Sequence, residues 1–214
     1  MNRYKMVLFD MDGTLLKNRT IFVFAERKGF MDRLINIINS NIVSYKKSIE
    51  IAKLLKGASE KELLEIFRSI PLNKDVEKVV DTLKKKRIIT AIVTNSYQFV
   101  ADDLRKRLGI NHAFANNLII ENGIVNGELE INNKQLVKEH KDCNIHSICK
   151  VCILDDLCSK FEIDKTEVIA VGDGEIDICM LKKAGLGIAF NASDKVQKHA
   201  DINTYNMEVI LKYI

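Results

Sequence analysis

The stretch VLFDMDGTLLKNR, residues 7–19, decides how this chain is read. A short apolar run, Met6-Val7-Leu8-Phe9, leads directly into Asp10 and Asp12, followed by Gly13, Thr14 and, further on, Arg19. Two carboxylates at the mouth of a hydrophobic strand are costly to desolvate and repel each other, so something must compensate them or use them. Similar apolar runs recur at Ile88–Thr94, Val168–Val171 and Gly187–Phe190, each tied to a helical pattern. Continuous apolar strands alternating with helices predict a parallel sheet covered on both faces. The fold class is therefore α/β, with a doubly wound core.

About eighty residues separate the first two strands, far more than one crossover helix needs. Within them Leu34-Ile35-Ile37-Ile38, Ile49-Ala52-Leu54-Leu55 and Leu63-Leu64-Phe67 carry apolar residues at spacings of three and four. That pattern predicts an amphipathic helical bundle ending near the lone proline, Pro71, before a core helix from Val76 to Lys86. The expected organisation is an α/β core over 1–16 and 73–214, with a helical cap over 17–72. Such a cap beside an acidic site can close over a small ligand and exclude water. After a helix from Phe99 to Leu108, the stretch NNLIIENGIVNGELEI, 116–131, alternates around Asn122-Gly123, with Asn126-Gly127 offering a second turn. A β-hairpin flap is expected there.

Composition narrows the function classes. The net charge of +4 is mild and spread along the chain, which argues against a nucleic-acid partner. No apolar run approaches membrane-spanning length, and the first residues lack the pattern of a secretory leader, so a cytoplasmic protein without a membrane partner is expected, as monomer or homodimer. Five cysteines, an odd number, do not form a secreted disulfide framework.

Four separated stretches carry polar residues where ligands of an open parallel sheet collect: Asp10/Asp12/Thr14, Thr94/Asn95, Lys150, and Asp173/Asp177 within VGDGEID. One ammonium and four carboxylates in one cleft suggest a divalent cation together with a phosphate. This ordered set, DxDGT, an apolar strand with Thr, an isolated Lys, then GDGxxD, resembles the haloacid dehalogenase superfamily of phosphohydrolases. The stretches LRKRLGINHAFANNLIIENGIVNGEL and VIAVGDGEIDICMLKKAGLGIAFNA resemble its phosphoserine phosphatase branch, so the likeness covers nearly all of the core.

The resemblance implies magnesium-dependent hydrolysis of a small phosphorylated metabolite. Asp10 would be the nucleophile that forms an aspartyl phosphate, and Asp12 the acid, then base. Mg²⁺ would sit on Asp10, the backbone carbonyl of Asp12, and Asp173. Thr94 and the Asn95 N–H would grip the phosphate, helped by a helix N-terminus, while Lys150 offsets charge on the phosphate and on Asp10. Asp177 could hold a water beside the cation or orient Lys150, with Thr14 near it in support.

The substrate-side elements depart from that branch. Arg19 stands where the branch has an acid, Ile51 or Ala52 where it has a cap arginine, Thr94-Asn95-Ser96 where it has Ser-Gly-Gly, and Ile176 where it has Asn. A guanidinium in place of a carboxylate favours an anion over an ammonium. A small phosphomonoester other than phosphoserine is thus expected, with an anionic or hydroxyl group near Arg19. Phosphoserine itself is the alternative, and Arg19 could instead pair with a cap acid such as Glu26. Weaker alternatives are a phosphomutase, a catalytically silent binding module, and a zinc or redox module built on His140, Cys143, His146, Cys149 and Cys152, which recur every three residues.

Overall fold

The computed structural model describes residues 3–138 and 144–214. Its strands are β1 (Met6–Phe9), β2 (Ile89–Tyr97), β3 (His112–Glu121), β4 (Ile124–Glu130), β5 (Val168–Gly172), β6 (Leu186–Phe190) and β7 (Ile202–Thr204). They form one sheet in the order β4-β3-β2-β1-β5-β6-β7, parallel except for the β3–β4 hairpin. β1 lies between β2 and β5, with Met6 opposite both Ile89 and Val168. Strand order therefore reverses at β1, and the crevice beyond its carboxyl end is the position where open α/β sheets take ligands.

Alternation along the strands builds two buried layers. Val7, Phe9, Ile92, Ile169 and Val171 join one cluster, while Met6, Leu8, Ala91, Val93, Val168 and Ala170 join the other. Because side chains point to opposite faces with period two, each strand is apolar throughout, as a doubly covered sheet requires. The first face is covered by α5 (Val76–Lys85) and α6 (Gln98–Leu108), the second by α7 (Lys150–Phe161) and α8 (Ile178–Lys183).

Between β1 and α5 lie α1 (Thr20–Lys28), α2 (Met31–Asn39), α3 (Ser44–Lys53) and α4 (Glu60–Arg68). Their buried Phe24, Leu34, Ala52, Leu63 and Phe67 belong to the same apolar cluster as Phe9 of the sheet. The chain enters and leaves this helical segment side by side: Leu16 bridges Leu72, the Lys17 N–H donates to the Pro71 carbonyl (2.9 Å), and the Asn73 N–H donates to the Leu15 carbonyl (2.9 Å). The hairpin also reaches the segment, through Gly57 N–H to Val125 O (2.8 Å) and Glu60 N–H to Gly123 O (2.9 Å). A last short helix, α9, spans Asp194–Gln197. Among the described residues no helix is long and apolar enough to cross a membrane.

Several elements differ from expectation. The hairpin strand begins at His112, where it runs parallel to β2, and only then turns to pair with β4. Asn122-Gly123 makes the hairpin turn, whereas Asn126-Gly127 lies inside β4 at a register shift, with the Asn126 side chain accepting from the Glu128 N–H (2.8 Å). That local Asx bond satisfies the backbone in place of a cross-strand partner, which makes a bulge and not a second turn.

Candidate active site

The site is assembled at the carboxyl ends of β1, β2 and β5 and at the first residue of α7. Asp10 follows β1 and its N–H donates to the Val171 carbonyl (2.9 Å), so its backbone continues the sheet while its side chain leaves it. The loop after it is tightly specified. Gly13 takes φ +97°, and a Cβ there would collide with the Asp173 carboxylate. The Asn73 side-chain amide donates to the carbonyls of Gly13 (3.0 Å), Thr14 (2.8 Å) and Leu16 (3.1 Å).

Lys150 is the electrostatic centre. The residue is 3% exposed, and its ammonium donates to Asp10 Oδ1 and Asp177 Oδ1, both at 2.5 Å. The second Asp177 oxygen accepts from the Gly174 N–H (2.9 Å), which ties the Glu175–Asp177 turn to the ion pair. Gly172, the last residue of β5, allows this approach, because a Cβ there would strike the Asp177 carboxylate. Asp173 accepts from the Thr14 hydroxyl (3.1 Å) and lies 3.7 Å from Arg19 Nη2. Arg19 therefore faces the acid cluster and not Glu26. Asp12 is held from the helical segment: its Oδ1 accepts from the Thr20 hydroxyl (2.5 Å) and the Thr20 N–H (3.0 Å).

These environments set proton affinities. Burial raises the Asp10 carboxyl well above its usual range against the pull of Lys150, with Asp177 and Asp173 adding to the rise. Burial likewise pushes Asp12 up to about 6, although the two Thr20 hydrogen bonds and Arg19 favour its anion. Asp173 is raised by burial and by Asp177. Burial alone would lower the Lys150 pKa, but Asp10 and Asp177 outweigh it and the net shift is upward. Lys150 stays charged.

Asp10, Asp173 and Asp177 each offer an oxygen within 4.8 Å of the others. Together with Asp12 they set four carboxylates against one buried ammonium and the partly exposed Arg19 guanidinium, a surplus of negative charge. An all-oxygen donor set with surplus negative charge fits a hard divalent cation such as Mg²⁺.

Thr94 is fully buried at the β2 end of the crevice, and its oxygen accepts from the Ser96 N–H (3.2 Å), leaving its hydroxyl proton to donate elsewhere. Asn95 is exposed. The strand runs further than expected: β2 continues past Thr94 to Tyr97, so Asn95 lies within it, and α6 begins at Gln98, one residue before the expected Phe99. The buried Asn116 side chain extends the strand, donating to Asn95 O (2.7 Å) and to Ser147 Oγ (3.0 Å). A cleft of about 70 Å³ opens beside Asp12, its apolar walls supplied by Ile21, Ile51, Tyr97 and Leu129. Sequence patterns pointed to neither Asn73, Thr20 nor Asn116; each acts through a single polar contact set with no periodic signal.

Among the described residues, no three members of the cysteine and histidine series gather as a group that could hold a metal ion. His140 and Cys143 lie outside the described residues, His146 Nδ1 is 2.8 Å from Ser44 Oγ, and the Cys149 sulfur accepts from the Cys152 N–H at the start of α7.

A family model for haloacid dehalogenase-like hydrolases matches residues 7–182. The chain belongs to that family. The phosphoserine phosphatase of Methanocaldococcus jannaschii is 30% identical over 216 residues, covering 98% of this chain and 97% of the relative. That of Archaeoglobus fulgidus is 32% identical over 205 residues, covering 94% of this chain but 56% of the relative, so the chain spans little more than half of that protein. A solved phosphoserine phosphatase carrying a phospho-aspartyl intermediate analogue superposes with a TM-score of 0.83 at 28% identity, with 99% of both chains covered. A substrate-bound phosphoserine phosphatase complex gives 0.83 at 29%, covering 99% of this chain and 98% of the other. Among haloacid dehalogenase-like hydrolases this chain is a phosphatase of the phosphoserine phosphatase-like type, a phosphoric monoester hydrolase.

Proposed function

We propose that the protein hydrolyses a small phosphomonoester through an aspartyl phosphate on Asp10, with Mg²⁺ as cofactor. The observation that carries this is Lys150 bridging Asp10 and Asp177 at the switch point, with Asp12 alongside and raised to about 6. A bound cation would be held by Asp10, Asp173 and the Asp12 carbonyl and would there supply positive charge to offset that of the phosphoryl group. Asp177 is committed to Lys150 and Gly174, so it positions the ammonium.

In the first step an Asp10 oxygen bonds to phosphorus as the ester P–O bond breaks, and Asp12 gives its proton to the departing oxygen. In the second, Asp12 takes a proton from water, the water oxygen bonds to phosphorus, and the Asp10–phosphorus bond breaks. Lys150 stays charged through both steps, and Thr94 with the Asn95 N–H grips the phosphoryl group. Residues 17–72 serve as the cap and about 116–131 as the flap, supported by their mutual hydrogen bonds at Gly57 and Glu60.

The proposed substrate is a phosphomonoester other than phosphoserine, since Arg19 and Ile51 replace the charges that an amino-acid group would need. Phosphoserine itself is the second reading, favoured by the names of the relatives. The experiment is magnesium-dependent phosphate release over a panel of phosphorylated metabolites, with hydroxylamine trapping of the acyl phosphate. Phosphate release with trapping at Asp10 is expected; release without any label on Asp10 would refute the mechanism.

A further inference from the structure

We propose that the Tyr97 hydroxyl is a specificity contact of the active site, meeting a hydroxyl or amino group carried on the leaving group of the substrate; this rests on the phosphomonoester reading above. Tyr97 ends β2, and its ring belongs to the apolar cluster of the sheet, stacked on Phe99 with ring centres 6.3 Å apart. The residue is 5% exposed, and among the described residues its hydroxyl has no hydrogen-bond partner. Nor is that oxygen sealed inside the protein, so it opens onto space, and the space that Tyr97 lines is the cleft beside Asp12. Asp12 is near enough to act on the hydroxyl electrostatically.

A polar atom in a mostly buried setting costs free energy unless something hydrogen-bonds to it. Phenylalanine would fill the same apolar seat, so the hydroxyl adds no bond to the fold, and what it offers is offered to the cleft. The chemistry brings the substrate there. Asp12 must lie beside the departing oxygen to protonate it, so the first carbons of the leaving group enter the space that Asp12 and Tyr97 share. The phosphoryl grip at Thr94 is three residues back along β2, about 10 Å of extended strand, which leaves the Tyr97 end for the rest of a small ester. A neutral phenol both donates and accepts hydrogen bonds. Among the described residues Asp12 is the one charged side chain lining the cleft, and its charge disfavours an anionic acceptor and favours a group that carries hydrogens. Of the neighbouring hydroxyls, that of Ser48 already donates to Ser147 Oγ (3.1 Å).

The test uses three esters of one chain length, ethyl phosphate, 2-hydroxyethyl phosphate and phosphoethanolamine, on the full chain with Mg²⁺, in the wild type and in Tyr97→Phe. In the wild type, kcat/KM for the hydroxyl-bearing or the amino-bearing ester is expected to exceed that for ethyl phosphate by about fivefold or more, the worth of one hydrogen bond. Tyr97→Phe is expected to erase that preference, and the ester on which it does so names the group. Taking the ratio within each protein removes any general effect of the substitution on turnover. The absence of either preference in the wild type overturns the inference without need of the variant. A preference that survives in Tyr97→Phe overturns it too, including the case where all three esters lose equally, since the hydroxyl then acts on Asp12 and not on the substrate. p-Nitrophenyl phosphate separates the two readings: its turnover beside a failed ratio leaves the phosphatase reading standing, whereas no turnover of any ester overturns both.

Discussion

Thr20→Val isolates the contact by which the helical segment governs Asp12. Valine keeps the branched shape of the buried Thr20 side chain and the backbone N–H bond to Asp12 (3.0 Å), but removes the hydroxyl that donates to the same oxygen at 2.5 Å. A hydrogen bond to an ionised group contributes about 1.5–3 kcal/mol, and about 1.4 kcal/mol corresponds to one pKa unit. Loss of the hydroxyl should therefore raise the Asp12 pKa by about one to two units above its present position near 6. Asp12 donates its proton in the first step, so the limb on which kcat/KM falls with rising pH should move to higher pH by that amount. The assay is steady-state kcat/KM for an alkyl phosphate from pH 5 to 9 at saturating Mg²⁺, with melting temperature followed in parallel. p-Nitrophenyl phosphate is the control, since its leaving group departs with little need of a proton and its limb should move less. A limb that stays in place or moves down, in a variant that melts like the wild type, would refute the assignment of Asp12 as the acid.

Asp10→Asn should preserve the fold, because the amide keeps the shape and an oxygen for Lys150, and should lower turnover by about 10⁴-fold or more; near wild-type phosphate release would remove Asp10 as nucleophile. The metal-free protein should lose stability as pH rises. Asp12 has a folded pKa near 6 against an unfolded 3.8, so its contribution is fully present below about 3.8 and is lost through about 6, roughly 3 kcal/mol in all. Asp10 and Asp173 shift in the same direction. The gap in melting temperature between samples with Mg²⁺ and with chelator should accordingly widen between pH 5 and 7.5, and a constant or shrinking gap would contradict this.

The sheet and the ion-pair partners were legible because each is written locally. Apolar runs ending in Asp10, Thr94 and Gly172 mark strands whose ends meet only if the sheet is parallel, and the structure pairs β1 with β2 and β5 in that way. α1 carries no such local signal, since Ile21-Phe22-Val23-Phe24 is apolar on every side and lacks the spacing of a half-buried helix. β7 has three residues at the sheet edge and too little sequence to show a period. The start of β3 is not written locally, because Ala113 and Ala115 have weak strand character and the pairing of His112–Phe114 with β2 decides it. The contacts of Thr20, Asn73 and Asn116 depend on where distant backbone carbonyls and carboxylates come to lie, which no spacing rule encodes.

The bridge between Leu16 and Leu72 also bears on how the chain folds. Met6 must find Ile89 across the whole helical segment, a separation that slows strand pairing because closure entropy is lost before contacts form. When α1–α4 assemble locally and zip Leu16 to Leu72, the loop left to close shrinks from about eighty residues to under about thirty, which lowers the entropic cost by about 1 kcal/mol. The segment that supplies Thr20 to the acid thus also shortens the search by which the central strands first meet.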